Sequence, residues 1–457
     1  AMPLDPVSAI QAEPARAAAA DALRVKALQL RDGFELLAAR EAIPKVRQGT
    51  LNISLENAAG APVDGEVSIR QTSHDFQFGV FQGKYNAADF EMVKEAGFNL
   101  STVLLGWAWT DAKTNPNWAA LDQALGISAM NELGFSVKIH GSVWLQQFGI
   151  LPDRVKDMST GTLKQEALAQ QKKLVEVYGA KIALWEAMNE PAATNQVNMP
   201  RDDVVELMAD SAAAIKAAGL PALVNAPFEI DYGRKFQVYN LDNEPRAPYN
   251  LTYSAFLDIA EEQGALKDID VVGLQFYPGV HLRDDLGNIQ GPAVTPSWLV
   301  DTLDRYHARF GKIVHITEYS VPSDYGSGWI SGYWQRPWDE DMQADYTEAA
   351  LTLAFADPHV ESFTWWDISD ADASVKSGGM LSAGGKPKPV FDHIAAMIDG
   401  WTTNATTSTE NGKAALRGYA GDYEITATSP TGSKTSETVH LTPGETAEIT
   451  MKFGGTK

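Results

Sequence analysis

Two segments of this sequence each place a glutamate at the end of an apolar run. One reads Leu184-Trp185-Glu186-Ala187-Met188-Asn189-Glu190-Pro191, the other Ile313-Val314-His315-Ile316-Thr317-Glu318-Tyr319. Two facing carboxylates are what hydrolysis of a glycosidic bond requires. One must be protonated to donate to the departing oxygen, and the other ionised to attack the anomeric carbon. Each like charge raises the pKa of the other, which helps the donor keep its proton. Glu190 is read as the general acid/base and Glu318 as the nucleophile, with a carboxyl separation of about 5–5.5 Å expected for a retaining mechanism. Asn189, beside the acid, is positioned to hydrogen-bond a sugar 2-hydroxyl, a contact that strengthens in an oxocarbenium-like transition state. Either segment alone has an ordinary reading, since Asn-Glu-Pro is common and a strand-terminal Glu often serves a salt bridge. Their joint placement singles them out.

Carboxylates so far apart in the chain need a fold that brings them together. Short β-rich runs recur at Phe76–Phe81, Asn99–Leu105, Ser136–Trp144, Ile182–Glu190, Ala222–Phe228, Val271–Tyr277, Ile313–Ser320 and Ser362–Ile368. Helical patterns fill most gaps, among them Trp118–Leu133, Leu163–Tyr178, Asp202–Ala218 and Asp341–Ala356. Eight alternating strand–helix units predict an α/β fold of the (β/α)8 TIM-barrel type over an open doubly wound sheet. No GxGxxG or P-loop sequence follows the first strand, which disfavours a nucleotide-binding fold. Active sites of such barrels lie at the C-terminal ends of the strands. Glu190 closes the fourth strand and Glu318 the seventh, across the barrel from one another.

Of the 457 residues, 44% are apolar and 21% charged, the make-up of a chain with a large buried core. A barrel over residues 73–401 leaves room for smaller units. Residues 1–45 carry Leu23, Ala27, Leu30, Phe34 and Leu37 at helical spacing, predicting a helical arm packed on the barrel, with Pro14 starting or breaking a helix. Over 46–72 the period changes to two: Leu51, Ile53 and Leu55, a turn at Asn57–Gly60, then Val67 and Ile69. That pattern predicts a β-hairpin. The same texture over 402–457 predicts a small β-sandwich module joined by the hairpin, because neither has enough strands to bury a sheet face alone. No run approaches the roughly 18 apolar residues of a membrane helix. The net charge of −22 argues against nucleic-acid or anionic-membrane partners. Without cysteine there is no thiolate nucleophile and no cysteine-ligated zinc. His74, His281, His307 and His393 lack metal-ligand spacing and are read as surface or core residues, so no metal or other cofactor is expected.

Asn-Glu closing strand four and Glu closing strand seven resemble the clan A glycoside hydrolases, and within them the chain is most similar to family 10, the endo-β-1,4-xylanase family. The likeness covers roughly residues 43–400. It includes Ile43-Pro44, Gly49-Thr50-Leu51, the Phe76–Gly79 run, His140 and Trp144 on strand three, and Gly273-Leu274-Gln275 on strand six. It continues through Ile316-Thr317-Glu318 and through Trp365-Trp366-Asp367 with Asp370. The resemblance implies a xylanase-like hydrolase of β-linked polysaccharide acting by double displacement. It assigns Glu190 and Glu318 the roles above, and makes Asn189, His140, Trp144 and Gln275 sugar-binding or supporting residues.

The departures from that pattern are specific. Where the family has an acidic-Asn stretch leading to a sugar-binding Lys, this chain has Gly106-Trp107-Ala108-Trp109-Thr110. The His expected after the strand-three Trp is Leu145, and the His expected two residues past Gln275 is Tyr277. The Leu-Asp expected after the nucleophile is Tyr319-Ser320. A reshaped −1 pocket is expected, with little activity on linear xylan. Tyr277 is read as a hydroxyl donor to Glu318, and Trp107 and Trp109 as stacking surfaces in place of the missing polar contacts. The loop after strand seven, with Tyr325, Trp329, Tyr333, Trp334 and Trp338, is read as a further substrate platform. Trp365 and Trp366 alternate along strand eight, so one faces inward; Trp366 is taken as the sugar contact. Two other readings are a non-catalytic carbohydrate-binding barrel and a metal-dependent hydrolase. The first would lose a carboxylate. The second needs His ligands at strand ends, whereas strand one ends Gly79-Val80-Phe81. The expected partner is a poly- or oligosaccharide. The protein is expected to be a monomer, secreted or periplasmic, with any export signal removed ahead of Ala1-Met2.

Overall fold

The computed structural model describes residues 6–147, 149–227, 230–231, 236–237, 251–280, 283–284, 287–288, 294–326 and 332–454. Its centre is an eight-stranded parallel sheet formed by Gln77–Phe81, Leu100–Leu104, Ser136–His140, Trp185–Asn189, Ala222–Pro227, Val271–Phe276, Ile313–Tyr319 and Val360–Trp366. Each strand lies beside its neighbours in the chain, and the eighth pairs with the first. Ile139 N–H donating to Leu184 O (3.0 Å) and Ala183 N–H to Val137 O (2.8 Å) close the seam between third and fourth. The sheet is therefore a closed (β/α)8 barrel. Its strands are buried at nearly every position, because side chains fill the interior and helices cover the outside. Those helices begin on short polar side chains: Asn86, Ser159, Thr252 and Asp339 each accept a first-turn amide. That satisfies backbone donors the helix itself leaves open.

Residues 48–71 correct one expectation. Gln48–Glu56 and Glu66–Gln71 are strands, but they do not pair as a hairpin. Gln48–Glu56 lies between Lys413–Tyr419 (antiparallel) and Thr446–Lys452 (parallel). Glu66–Gln71 lies between Asn404–Ser408 and Gly421–Thr428 in a second sheet, which Lys434–Leu441 completes. Leu51, Ile53 and Leu55 pack face to face with Val67, Ile69 and Ile425 in one apolar cluster. Alternation reports only which face is buried. It is the same whether the partner strand lies alongside or in an opposed sheet.

The N-terminal helix runs from Pro6 to Arg47, unbroken at Pro14. Its docking face is not the apolar stripe of the sequence. Leu23 and Phe34 are 70% and 72% exposed, and Leu30 and Leu37 are exposed too. The helix is held instead by Asp32, Ala39, Ile43 and Arg47, all buried. Asp32 accepts hydrogen bonds from Thr295 Oγ1, Ser297 Oγ (2.5 Å) and Trp334 Nε1 (2.8 Å). The Arg47 guanidinium donates to the carbonyls of Phe355, Asp357 and Val360 at 2.6–2.7 Å. Polar anchors with fixed partners decide the face, since burying them unpaired costs more than exposing a few leucines.

Candidate active site

Glu190 follows the fourth strand directly. Its φ of +50° is left-handed, a region non-glycine residues occupy only when their surroundings enforce it. Here Glu190 N–H donates to Asn225 O (2.6 Å), pulling the chain across the end of strand five. The carboxyl is 2% exposed. It accepts from Thr194 Oγ1 (2.5 Å), Trp144 Nε1 (3.2 Å) and Gln275 Nε2 (3.1 Å). Burial, reinforced by the Glu318 charge, pushes its pKa up to about 7 despite the bonds from Thr194 and Gln275. Asn189 is fully buried, and its Oδ1 accepts from Asn225 Nδ2 (3.0 Å) and Gln275 Nε2 (3.3 Å). Those two bonds fix the amide so that its Nδ2 has no protein partner.

Glu318 sits at a register shift. Leu274 pairs with Ile316 but Gln275 with Glu318, so the seventh strand bulges at Thr317. The bulge lets two successive side chains face inward, which a regular strand forbids. Thr317 Oγ1 donates to Asn225 Oδ1, while Glu318 accepts from Asn225 Nδ2 (3.1 Å) and from the Tyr277 hydroxyl (2.7 Å). Burial leaves Glu318 raised as well, although His140, Tyr277 and Lys138 oppose it. His140 Nδ1 lies 3.7 Å from Glu318 and 3.3 Å from Glu186, whose other oxygen accepts Gly141 N–H (2.6 Å). Burial lowers the His140 pKa, yet the Glu186 charge and hydrogen bond outweigh it and leave the ring raised. Glu190, Glu318, His140, Trp144, Gln275, Tyr277 and Trp366 line one cavity of about 250 Å³ at the C-terminal mouth of the barrel. A larger cleft of about 610 Å³, around Tyr85 and Trp118, lies between outer helices, and of its two carboxylates Asp122 is ion-paired to Lys181.

The sequence profile of glycosyl hydrolase family 10 matches residues 104–397, more than half of the chain and including both glutamates. The chain belongs to this family. The matched segment runs from the end of the second barrel strand through the eighth. Solved structures of similar fold include a psychrophilic family 10 endo-β-1,4-xylanase (15% identity, TM-score 0.50, covering 70% of this chain and 96% of that one). Another is xylanase 10B of Thermotoga maritima (16% identity, TM-score 0.50, 71% and 95% covered). The anti-sigma-I factor RsgI6 of Acetivibrio thermocellus is 21% identical over 427 residues. That alignment takes in 89% of this chain but 48% of RsgI6, so the chain spans about half the length of that relative.

The aromatic residues of this family 10 member divide sharply. Trp366 is in the cavity, stacked on Phe81 at 3.8 Å and edge-on to His140 at 4.9 Å, while Trp365 turns away to Tyr319. Trp107 is a correction: it is 1% exposed, with the Arg154 guanidinium over its ring, and cannot stack on a sugar. Trp334 is another, buried edge-on against Tyr346 and bonded to Asp32; Trp338 is likewise buried. Trp334 fastens the N-terminal helix, and Trp338, donating to Gly332 O (2.8 Å) and edge-on to Tyr346, fastens the loop. Trp109 is 38% exposed with its ring over Gly106, away from the cavity lining. Trp329 and His281 lie outside the described residues. Residues that sequence reasoning missed include Asn225, Thr194, Glu186 and Lys138. Thr194 carried a readable signal, one helical turn beyond Glu190; Asn225 carried none, since a lone Asn within an apolar strand names no partner. Among the described residues no cluster of three His, Asp or Glu side chains is placed to hold a metal. No described helix is long and apolar enough to cross a membrane.

Proposed function

We propose that the protein is an exported retaining hydrolase of β-linked polysaccharide, with Glu318 as nucleophile and Glu190 as acid/base. One observation carries the reading: two buried carboxylates from strands four and seven open into one cavity with unlike supports. Glu318, beside the raised His140 and the Tyr277 hydroxyl, is the group that ionises. Glu190, its pKa pushed to about 7, is the group that holds a proton. Glu318 attacks the anomeric carbon while Glu190 gives its proton to the glycosidic oxygen, and a glycosyl ester on Glu318 forms as that bond breaks. Glu190, now ionised, takes a proton from the water that attacks the same carbon. Glu318 leaves as carboxylate and the configuration is retained. Asn189, whose buried Nδ2 has no protein partner, is the residue proposed to reach the sugar 2-hydroxyl.

The substrate class is a xylan-like or a substituted plant or microbial glycan, with linear unsubstituted xylan a poor case. NMR of the first-formed anomer, over a panel of linear and decorated xylans, β-mannan, β-galactan and β-glucan, tests this. The β-anomer should appear first, and an α-anomer would remove Glu318 from its role. A second reading is glycan binding without turnover, since RsgI6 is named as an anti-sigma-I factor and not as a hydrolase. Binding to the panel with no new reducing ends would favour it.

A further inference from the structure

The cavity at the carboxylate pair has two unlike walls. Along strands three to seven it is mostly polar, with His140, Glu190, Gln275, Tyr277 and Glu318 beside the Trp144 indole, whose N–H is held by Glu190. Along strands one, two and eight it is formed by Phe81, Leu104, Trp366 and Val375, with the exposed Ser374 beside them. Phe81, Trp366 and Val375 are 4%, 7% and 6% exposed. The half-buried Leu104 rests on the turn at Gly141, where an added Cβ would come within 2.7 Å of its δ-carbon.

A pyranose carries hydroxyls around its rim. One pressed against Phe81, Leu104 or Val375 would lose its water to side chains that offer no hydrogen bond, at a cost of about tenfold or more in binding. Ser374 is the polar side chain with a hydroxyl among the described residues of this wall. We infer that the sugar seated between Glu190 and Glu318 bears, on the edge facing strands one, two and eight, a methyl group in place of a free hydroxyl. The methyl of a 6-deoxy sugar and that of a methyl ether present the same chemistry. Either gains about fourfold from burial against Phe81 and Leu104, besides avoiding the desolvated hydroxyl. The inference deepens the hydrolase reading, since it takes this cavity as the sugar site.

The test is a ligand-observed NMR titration of the full-length Glu318→Gln variant. Its ligands are methyl β-D-glucoside and β-D-galactoside, their 6-deoxy analogues, and their 3-O-methyl and 4-O-methyl ethers. At least one analogue should bind about tenfold tighter than its parent, and which one separates deoxy from ether. Adding Leu104→Gln, or separately the near-isosteric Val375→Thr, should shrink that preference to about threefold or less with circular dichroism unchanged. Parents binding as well as every analogue, no sugar binding at all, or a preference that survives both changes would overturn the inference. Wild-type turnover of aryl β-glycosides reports on the hydrolase reading separately. Turnover without a methyl preference sinks only the inference, and a preference without turnover sinks only the hydrolase.

Discussion

Burial and the neighbouring Glu318 carboxylate raise the Glu190 pKa, and the same displacement links activity to stability. The pKa rises from the ordinary 4.5 to about 7 on folding. The folded state therefore binds the extra proton between those values, and stability falls as pH rises through that window. Glu190→Gln mimics the protonated acid. It should leave stability at pH 4 nearly unchanged and raise it at pH 8 by up to about 3 kcal/mol. Urea unfolding at both pH values checks this, and an equal effect at the two would count against it. The catalytic consequence has the opposite value: kcat/KM should fall above about pH 7, as the acid loses its proton. Tyr277 acts on the other partner. Its hydroxyl stabilises ionised Glu318, so Tyr277→Phe should move the acid limb of the kcat/KM profile to higher pH and lower kcat by about tenfold. A profile that only scales down, without shifting, would make the hydroxyl a mere spacer. Glu318→Gln should abolish turnover on every substrate. Glu190→Ala should spare activated aryl glycosides and respond to azide.

At the scale of elements, polar contacts choose what apolar periodicity leaves open. The N-terminal helix exposes its heptad-like leucines and docks through Asp32 and Arg47. Asp32→Ala should destabilise the protein by about 2–3 kcal/mol, because it strands Thr295, Ser297 and Trp334 without their acceptor. Phe34→Ser, on the exposed stripe, should change stability by less than about 0.5 kcal/mol. Denaturant midpoints for the two variants decide between these faces, and a larger loss for Phe34→Ser would reverse the assignment. The seventh strand makes a related point. Its bulge at Thr317 turns both Thr317 and Glu318 inward, so the proposed nucleophile and the group that orients Asn225 come from adjacent residues.

Across the whole molecule, segments from the two ends of the chain build one sandwich beside the barrel. Gln48–Glu56 and Glu66–Gln71 find all their strand partners between residues 404 and 452. Removing residues 402–457 would expose Leu51, Ile53, Leu55, Val67 and Ile69 together and leave two strands without ladders. Insoluble or molten protein is the expected product. A soluble truncation with native near-ultraviolet circular dichroism and full activity would show that the two sheets are independent of the barrel.

Much was legible in the chain itself, for physical reasons. Strand–helix alternation across eight units admits few closed solutions, so the barrel and the strand-end placement of Glu190 and Glu318 followed from pattern alone. Tyr277 could be read as the donor to Glu318 because strand order puts the sixth beside the seventh. What the chain could not disclose depends on facing rather than on period. An alternating strand is written alike for a hairpin and for opposed sheets, and a tryptophan alike for a sugar platform and a core plug. Trp107 and Trp334 are buried because Arg154 and Asp32, distant from them in sequence, close over them. Asn225, Phe81 and Val375 join the site only once the barrel closes and eight strand ends share one rim. Such contacts are long-range and set by packing, and only the tertiary structure decides them.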